Sequence, residues 1–150
     1  MEILPPEAFN IANYIKSKPN EYQDIYIQKL KEHREYAKGK TFEAYNKPCP
    51  FLTSSRSCAI YNVRPHKCRA YLSKSLTVCQ TGRDAEQDEQ LSSATSQLAN
   101  DSIHIYKSKK LIMHPTELGQ GVLSALENDL EDEWAKGVQI FELLPEKILL

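Results

Sequence analysis

The spacing of apolar residues in the first forty positions predicts two helices joined by a short break. Pro5 and Pro6 suit the first turn of a helix, and apolar residues follow at helical spacing: Phe9, Ile11, Ala12 and Ile15. After a break at KSKPN, Asn20 is expected to cap the second helix, with Gln23 at the capping-box position. Gly39 is expected to end this helix, whose apolar stripe consists of Tyr22, Ile25, Tyr26, Leu30, His33 and Ala37.

Helical spacing returns in the second half of the chain, from Asp84 onward. One face of the first predicted helix there carries Leu91, Ala94, Thr95 and Leu98. The stretch IHIYKSKKLIMH, residues 103–114, fits either a continuation of that helix or a short strand. Pro115 is expected to open a further helix that stops near Gly137 and has an apolar residue at every fourth position: Leu118, Val122, Leu126, Leu130 and Trp134.

The C-terminal tail, VQIFELLPEKILL at residues 138–150, is rich in apolar residues. Such a tail either packs on the body of the domain or, when exposed, forms a contact surface. The sequence therefore leaves room for a protein partner that binds at this tail.

Residues 40–83 show neither a helical nor a strand period. Prolines at positions 48, 50 and 65 and scattered serines predict turns and short pieces. An irregular segment of this length is unusual inside a small domain unless something holds it in place. We therefore predict a mainly α fold, a single domain over residues 1–150, with helices around an irregular, loop-rich core at 47–83, which a bound metal would hold in place.

Composition fits a globular domain that needs no disulfide to stabilise its core. The chain has 150 residues, of which 41% are hydrophobic and 26% charged. No apolar run approaches the ~20 residues of a membrane helix, and the start MEILPPEAFN lacks the features of a secretory signal. We therefore expect a cytoplasmic protein without a membrane partner, in which clustered cysteines bind metal more often than they form disulfides.

Charge is distributed unevenly along the chain. Between Glu43 and Asp84 there are seven basic residues and no acidic one. A nucleic-acid surface is one explanation of such a segment, but the pI near 6.4 and the few interleaved aromatic residues make a nucleic-acid partner unlikely. The other explanation is that basic side chains compensate the negative charge of metal-bound thiolates. Arg64 and Arg69, which flank Cys68, are the residues best placed in sequence to donate to sulfur.

All four cysteines of the chain fall between positions 49 and 79. They are Cys49, Cys58, Cys68 and Cys79, and eight, nine and ten residues separate them in turn. These intervals are longer than the knuckles of zinc fingers and ribbons and differ from the cysteine runs of ferredoxins. Spacing alone leaves three interpretations open, namely small buried side chains, disulfides, or ligands of one metal centre.

The order of residues around the cysteines is more specific than their spacing. CPFL at 49–52, followed by CAIYNVRPHKCRAY at 58–71, resembles the YkgJ-type cysteine-cluster family, whose members are described as zinc- or iron-chelating. The shared residues are Cys49, Pro50, Phe51, Leu52, Cys58, Ile60, Tyr61, Arg64, Pro65, Cys68, Arg69 and the aromatic Tyr71. Many members also carry a C-x-x-C-C stretch upstream, whereas this chain has no cysteine before Cys49.

The resemblance implies that Cys49, Cys58 and Cys68 are metal ligands. Cys79 is then the natural fourth ligand, and His66, two residues before Cys68, is the alternative. Around them we expect Arg64, Arg69 and Tyr61 to support the ligands, and Tyr61 and Phe51 either to shield the metal from water or simply to form core. Four thiolates suit one zinc ion or, alternatively, a [4Fe–4S] cluster.

The sequence thus predicts a metal-binding protein with a structural or a metal- or redox-sensing role. One alternative is an enzyme, because bacterial flagellin lysine N-methylases contain a related cysteine cluster and transfer methyl groups. The glycine pair in ELGQG, residues 117–121, is expected to open a helix rather than to bind a methyl donor. Another alternative is an interaction or effector protein that contacts its partner through the apolar tail and contains a structural zinc.

Overall fold

A computed structural model describes residues 1–40, 44, 47–70 and 89–141 of the chain. The predicted mainly α fold is confirmed, since the described part contains only one small sheet beside its helices. The helices are α1 (Pro5–Lys16), α2 (Asn20–Ala37), α3 (His66–Ala70), α4 (Glu89–Ser108), α5 (Leu118–Glu127) and α6 (Leu130–Ala135), with a 3-10 turn at Tyr61–Val63. Cys79, Tyr71 and the end of the tail lie outside the described residues.

The small sheet pairs the start of the chain with the residues that precede α5. Strand β1 (Glu2–Ile3) runs antiparallel to β2 (Thr116–Glu117), with Glu2 opposite Glu117 and Ile3 opposite Thr116. The Leu118 amide continues this pairing by donating to the Met1 carbonyl at 2.9 Å. The sheet therefore fixes the first residues of the chain against the N-terminus of α5.

Helix α5 lies at the centre of the core and packs against both α1 and α2. It can do so because apolar and small residues occur on all sides of the helix, as is typical of a buried helix. Removing such side chains from water contributes roughly 1.5–3 kcal/mol for each large one. The fully buried members of this core are Ile11 and Ile15 of α1, Leu30 of α2, and Leu118, Val122 and Leu123 of α5.

The two N-terminal helices follow the predicted boundaries, but the expected cap of α2 is wrong. Asn20 is the first helical residue, and Pro19 occupies the N-cap position without a side-chain cap. The side-chain amide of Gln23 instead donates to the Lys18 carbonyl at 2.8 Å and so closes the turn between α1 and α2. Gly39 adopts φ +68°, as expected of a residue that ends a helix.

The apolar stripe of α2 is narrower than predicted. Tyr26, Leu30 and His33 are buried, whereas Ile25 is 48% exposed. The reason is that α1 and α5 cover only one side of α2, and Ile25 points away from both.

Helix α4 is rotated relative to its predicted apolar face. Leu98 is 63% exposed, which contradicts its assignment to the core. The half-buried residues of the helix instead share a face of small and aromatic side chains: Ser92, Thr95, Ala99, Ile103 and Tyr106. The ambiguous stretch at 103–114 continues the helix as far as Ser108 and contains no strand.

The long helix predicted from Pro115 is in fact a short strand followed by two helices. Helix α5 begins at Leu118, where the Glu117 side chain accepts a hydrogen bond from the Gln120 amide at 3.0 Å. The chain leaves helical geometry at Asn128, with φ −140° and ψ 151°. Asparagine and aspartate at positions 128 and 129 favour such a break because their side chains compete for backbone hydrogen bonds. The glycines of ELGQG open α5, as predicted.

The described part of the tail is only partly buried. Phe141 lies in the core with its ring centroid 6.1 Å from that of Phe9, whereas Val138 is 44% exposed. Trp134 of α6 fixes the adjoining chain by donating its indole N–H to the Ile112 carbonyl at 2.7 Å. In the part of the chain that the structure describes, no helix has the length and apolar character needed to cross a bilayer.

Gly121 is the position where the core leaves no space for a side chain. A Cβ atom there would collide with the Thr116 methyl group and would touch Ile3 Cδ1 at 3.5 Å. We therefore expect Gly121→Ala to lower the free energy of unfolding by about 1–3 kcal/mol through overpacking. Urea denaturation measures this loss, and Ser124→Ala on the same helix, which removes one long hydrogen bond, is the matched control. Equal stability of Gly121→Ala and the control would contradict the close approach.

Candidate metal centre

Three cysteines lie on the described segment 47–70, which local hydrogen bonds hold in an irregular path. An isolated bridge pairs Leu52 with Cys58, and the Ala59 amide donates to the Phe51 carbonyl at 2.9 Å. Cys68 lies in the short helix α3, where its amide donates to the Pro65 carbonyl at 3.0 Å. For these residues the predicted turns and short pieces are confirmed.

Buried aromatic and aliphatic side chains dock this segment onto α1 and α2. Phe51 is 1% exposed and stacks on Tyr26 with ring centroids 5.6 Å apart. The hydroxyl groups of Tyr14 and Tyr22 both point to the Ala59 carbonyl, at 3.5 and 3.4 Å. Phe51 therefore belongs to the core, and the tyrosines cover the side of the segment that carries Cys58.

Two carboxylates fix the other end of the segment. Glu7 of α1 accepts the His66 amide at 2.5 Å, and Glu2 of β1 pairs with the Lys67 ammonium at 2.6 Å. Both contacts place α3, and with it Cys68, against the first residues of the chain.

The three thiols lie within electrostatic reach of one another. Burial, together with the neighbouring Cys49 and Cys58, raises the pKa of Cys68 to about 11. Cys49 is at the surface, yet nearby protein atoms desolvate its thiol and raise its pKa, and Cys58 adds to the effect. The structure thus brings Cys49, Cys58 and Cys68 into one neighbourhood.

In this structure the thiols do not form a complete coordination sphere. Within the described residues, no three side chains of His, Cys, Asp or Glu stand close enough together to hold one ion. The fourth predicted ligand, Cys79, lies outside the described residues. His66, the alternative ligand, lines a groove between α3 and α4. The site residues therefore stay a prediction, which the geometry supports by proximity alone.

Arg64 offers an unused donor beside the thiols. Its Nε is buried and has no hydrogen-bond partner among the described residues, although burying an unsatisfied donor costs free energy. Its positive charge lowers the pKa of Cys68, against the larger effect of burial. A thiolate–metal group is negative and accepts hydrogen bonds at sulfur. The chemistry of these donors, three thiols and one orphaned N–H, therefore fits a thiophilic metal.

Arg69 and Tyr61 contact the protein backbone and Arg64 rather than sulfur. The Arg69 guanidinium donates to the carbonyls of Asn62 and Arg64 at 2.8 and 2.9 Å, which closes the turn before α3. Tyr61 is 59% exposed, and its ring centroid lies 4.0 Å from the Arg64 guanidinium carbon. Both residues hold Arg64 in position, so in this structure their contact with the thiols is indirect.

A buried histidine and glutamate lie near the same site and were not singled out by the sequence. His33 Nδ1 is 3.5 Å from Glu117 Oε1, and the two side chains are 3% and 15% exposed. Burial lowers the pKa of His33 to about 4 and raises that of Glu117. Gly119 leaves room for the pair, because a Cβ there would lie 3.0 Å from both side chains. The only sequence signal was a histidine within the apolar stripe of α2.

A groove lies beside the helix that carries Cys68, and none of the three described cysteines lines it. It measures about 730 Å³, runs between β1, α3 and α4, and is mainly apolar. The groove is therefore separate from the cysteine side chains, although α3 contributes to its lining.

Comparison with known proteins gives one match. Residues 11–96, more than half of the chain, match the CxxCxxCC family, whose description is "Putative zinc- or iron-chelating domain". The matched region includes all four cysteines, although none of them has the C-x-x-C spacing of the family name. Searches of curated proteins and of solved structures find no match to this chain.

The low pKa of His33 predicts how stability depends on pH. The unfolded chain binds a proton at His33 near pH 6.5, whereas the folded chain does so only near pH 4. Because the unfolded state binds more protons in this window, stability should fall by up to about 3 kcal/mol as the pH falls through it. Urea denaturation of the metal-free protein at several pH values measures the loss.

Two controls separate His33 from other titrating groups. His33→Gln should flatten this part of the pH dependence, whereas His104→Gln, at an exposed position, should leave it unchanged. NMR titration gives a direct reading, since one of the four histidines should titrate near pH 4. Four histidines that all titrate between pH 6 and 7 would contradict the buried geometry of His33.

Proposed function

Since the chain belongs to the CxxCxxCC family of zinc- or iron-chelating domains, we propose that it holds one metal centre through Cys49, Cys58, Cys68 and Cys79. The proposed metal is a zinc ion, and a [4Fe–4S] cluster is the alternative with the same ligands. The observation that supports this proposal is that three thiols from separate parts of the segment lie within electrostatic reach of one another.

The distribution of charge supports the proposal. Four thiolates around Zn²⁺ leave a net charge of −2, which a buried site tolerates only with compensation. The acid-free stretch supplies positive charge along the chain, and Arg64 supplies a buried N–H that has no other partner among the described residues. A metal-bound thiolate would give this donor its acceptor.

The proposed role of the metal is structural. Four thiolates close the coordination sphere, which is typical of structural rather than catalytic zinc. The segment that carries the thiols has few hydrogen bonds of regular secondary structure, and the metal would supply the missing cross-links. The binding free energy would then contribute directly to folding of this segment.

We expect each of the changes Cys49→Ser, Cys58→Ser, Cys68→Ser and Cys79→Ser to remove most of the bound metal. Serine preserves the size of the side chain but not the soft thiolate that binds zinc or iron. The metal content of purified protein, measured by mass spectrometry, and the loss of stabilisation by added zinc report the effect. Ser54→Ala, at an exposed position of the same segment, is the matched control and should keep full metal content.

The same preparations distinguish the two metals and test the proposal. Protein purified without oxygen should be colourless and contain zinc, whereas a brown protein with broad visible absorption would indicate iron and sulfide. Serine variants that keep both the metal and its stabilising effect would overturn the proposed site. If only the Cys79→Ser variant retained the metal, Cys79 would be rejected as the fourth ligand and the other three assignments would stand.

We expect Arg64→Gln to weaken metal binding by about 10–100-fold, the usual effect of losing a donor that supports a ligand. The change removes a charge and the orphaned N–H but leaves every thiol in place. Competition with a chromophoric chelator measures the affinity. Arg56→Gln removes the same charge from an exposed turn of the same segment and should change the affinity little. Equal losses in the two variants would show that only net charge matters.

A further inference from the structure

The thioether of Met1 lies directly against one of the three thiols. Cys68 Sγ donates to Met1 Sδ across 3.3 Å. The contact joins two residues that are 67 positions apart in the sequence and was not visible in the cysteine spacing. It places a fourth sulfur, described in the structure, at the site of the three cysteines.

The position of Met1 is fixed by the backbone around it. Its carbonyl accepts the Leu118 amide at 2.9 Å, and the next two residues form strand β1 against β2. Its side chain is half-buried and packs against the core. Met1 Sδ is therefore held beside Cys68 by the same sheet that positions α5.

The two sulfur atoms have a separation that suits ligands of one ion. Two sulfur ligands at ~2.3 Å from a tetrahedral metal lie about 3.8 Å apart, which is about half an ångström more than the 3.3 Å observed. The thiol proton that now joins Cys68 to Met1 is the one a metal must displace. A thioether carries no proton and no charge, so it binds soft ions and binds zinc weakly.

We propose that Met1 Sδ is a further ligand of this centre and that it lets the centre accept a soft monovalent ion, Cu(I), together with Cys49, Cys58 and Cys68. This inference rests on the proposed function, since the three thiolates must bind metal for the thioether to join them. Zinc binding depends on the thiolates alone, whereas Cu(I) binding also depends on the thioether.

Selenium labelling tests the proposed bond directly. Met1 and Met113 are the only methionines, so Met113→Leu, a change of similar volume, leaves Met1 as the single label. The selenomethionine form of this variant is loaded with Cu(I) under anaerobic conditions, and X-ray absorption at the selenium edge is recorded. A copper neighbour at bonding distance from selenium is expected, and its absence would overturn the inference.

Norleucine in place of Met1 provides the matched variant, because it replaces only the sulfur by a methylene group. We expect it to lower the affinity for Cu(I) by more than the ~10-fold that an outer donor contributes, with zinc affinity unchanged. Unchanged Cu(I) affinity would reject Met1 as a ligand while the thiolate site stands. If neither metal binds the protein with all cysteines intact, the proposed function and this inference both fail.

Discussion

The docking of segment 47–70 onto the helices is the interaction on which the rest of the structure depends. The segment makes few regular hydrogen bonds of its own, so its position comes from contacts with α1, α2 and β1. Phe51 enters the core beside Tyr26, and Glu7 accepts the His66 amide at the other end. Between these anchors the path of the chain brings the three thiols within electrostatic reach of one another.

The same docking removes several polar groups of the site from water. The Cys49 and Cys68 thiols are desolvated, and the Arg64 Nε and Glu117 Oε1 are buried without hydrogen-bond partners among the described residues. The unsatisfied polar atoms cost free energy, and desolvation makes the thiols harder to ionise. A cationic metal would bind the thiols as thiolates. The metal-bound sulfur atoms would accept the Arg64 N–H, so metal binding would offset several of these costs.

The sequence predicted the helices and the cysteine neighbourhood but not the details that depend on tertiary packing. Helical spacing placed α1 and α2 correctly, because their apolar residues face a common core. It failed at Leu98, where an apolar residue at helical spacing faces outward, and at Asn128, where the four-residue repeat continues across a break between two helices. Hydrophobic periodicity records which residues prefer burial, and it cannot show which neighbours will cover them.

Only those residues of the candidate site that lie on one continuous sequence motif could be predicted. Cys49, Cys58 and Cys68 are visible because they occur in a recognisable order, whereas Met1, His33 and Glu117 come from the residue before β1, from α2 and from β2. Under the proposed function, a chain without upstream cysteines would satisfy its metal, and the charges around it, with other side chains. The short sheet holds Met1 Sδ beside Cys68 and carries Glu117 in β2, so these two side chains would be available for that task.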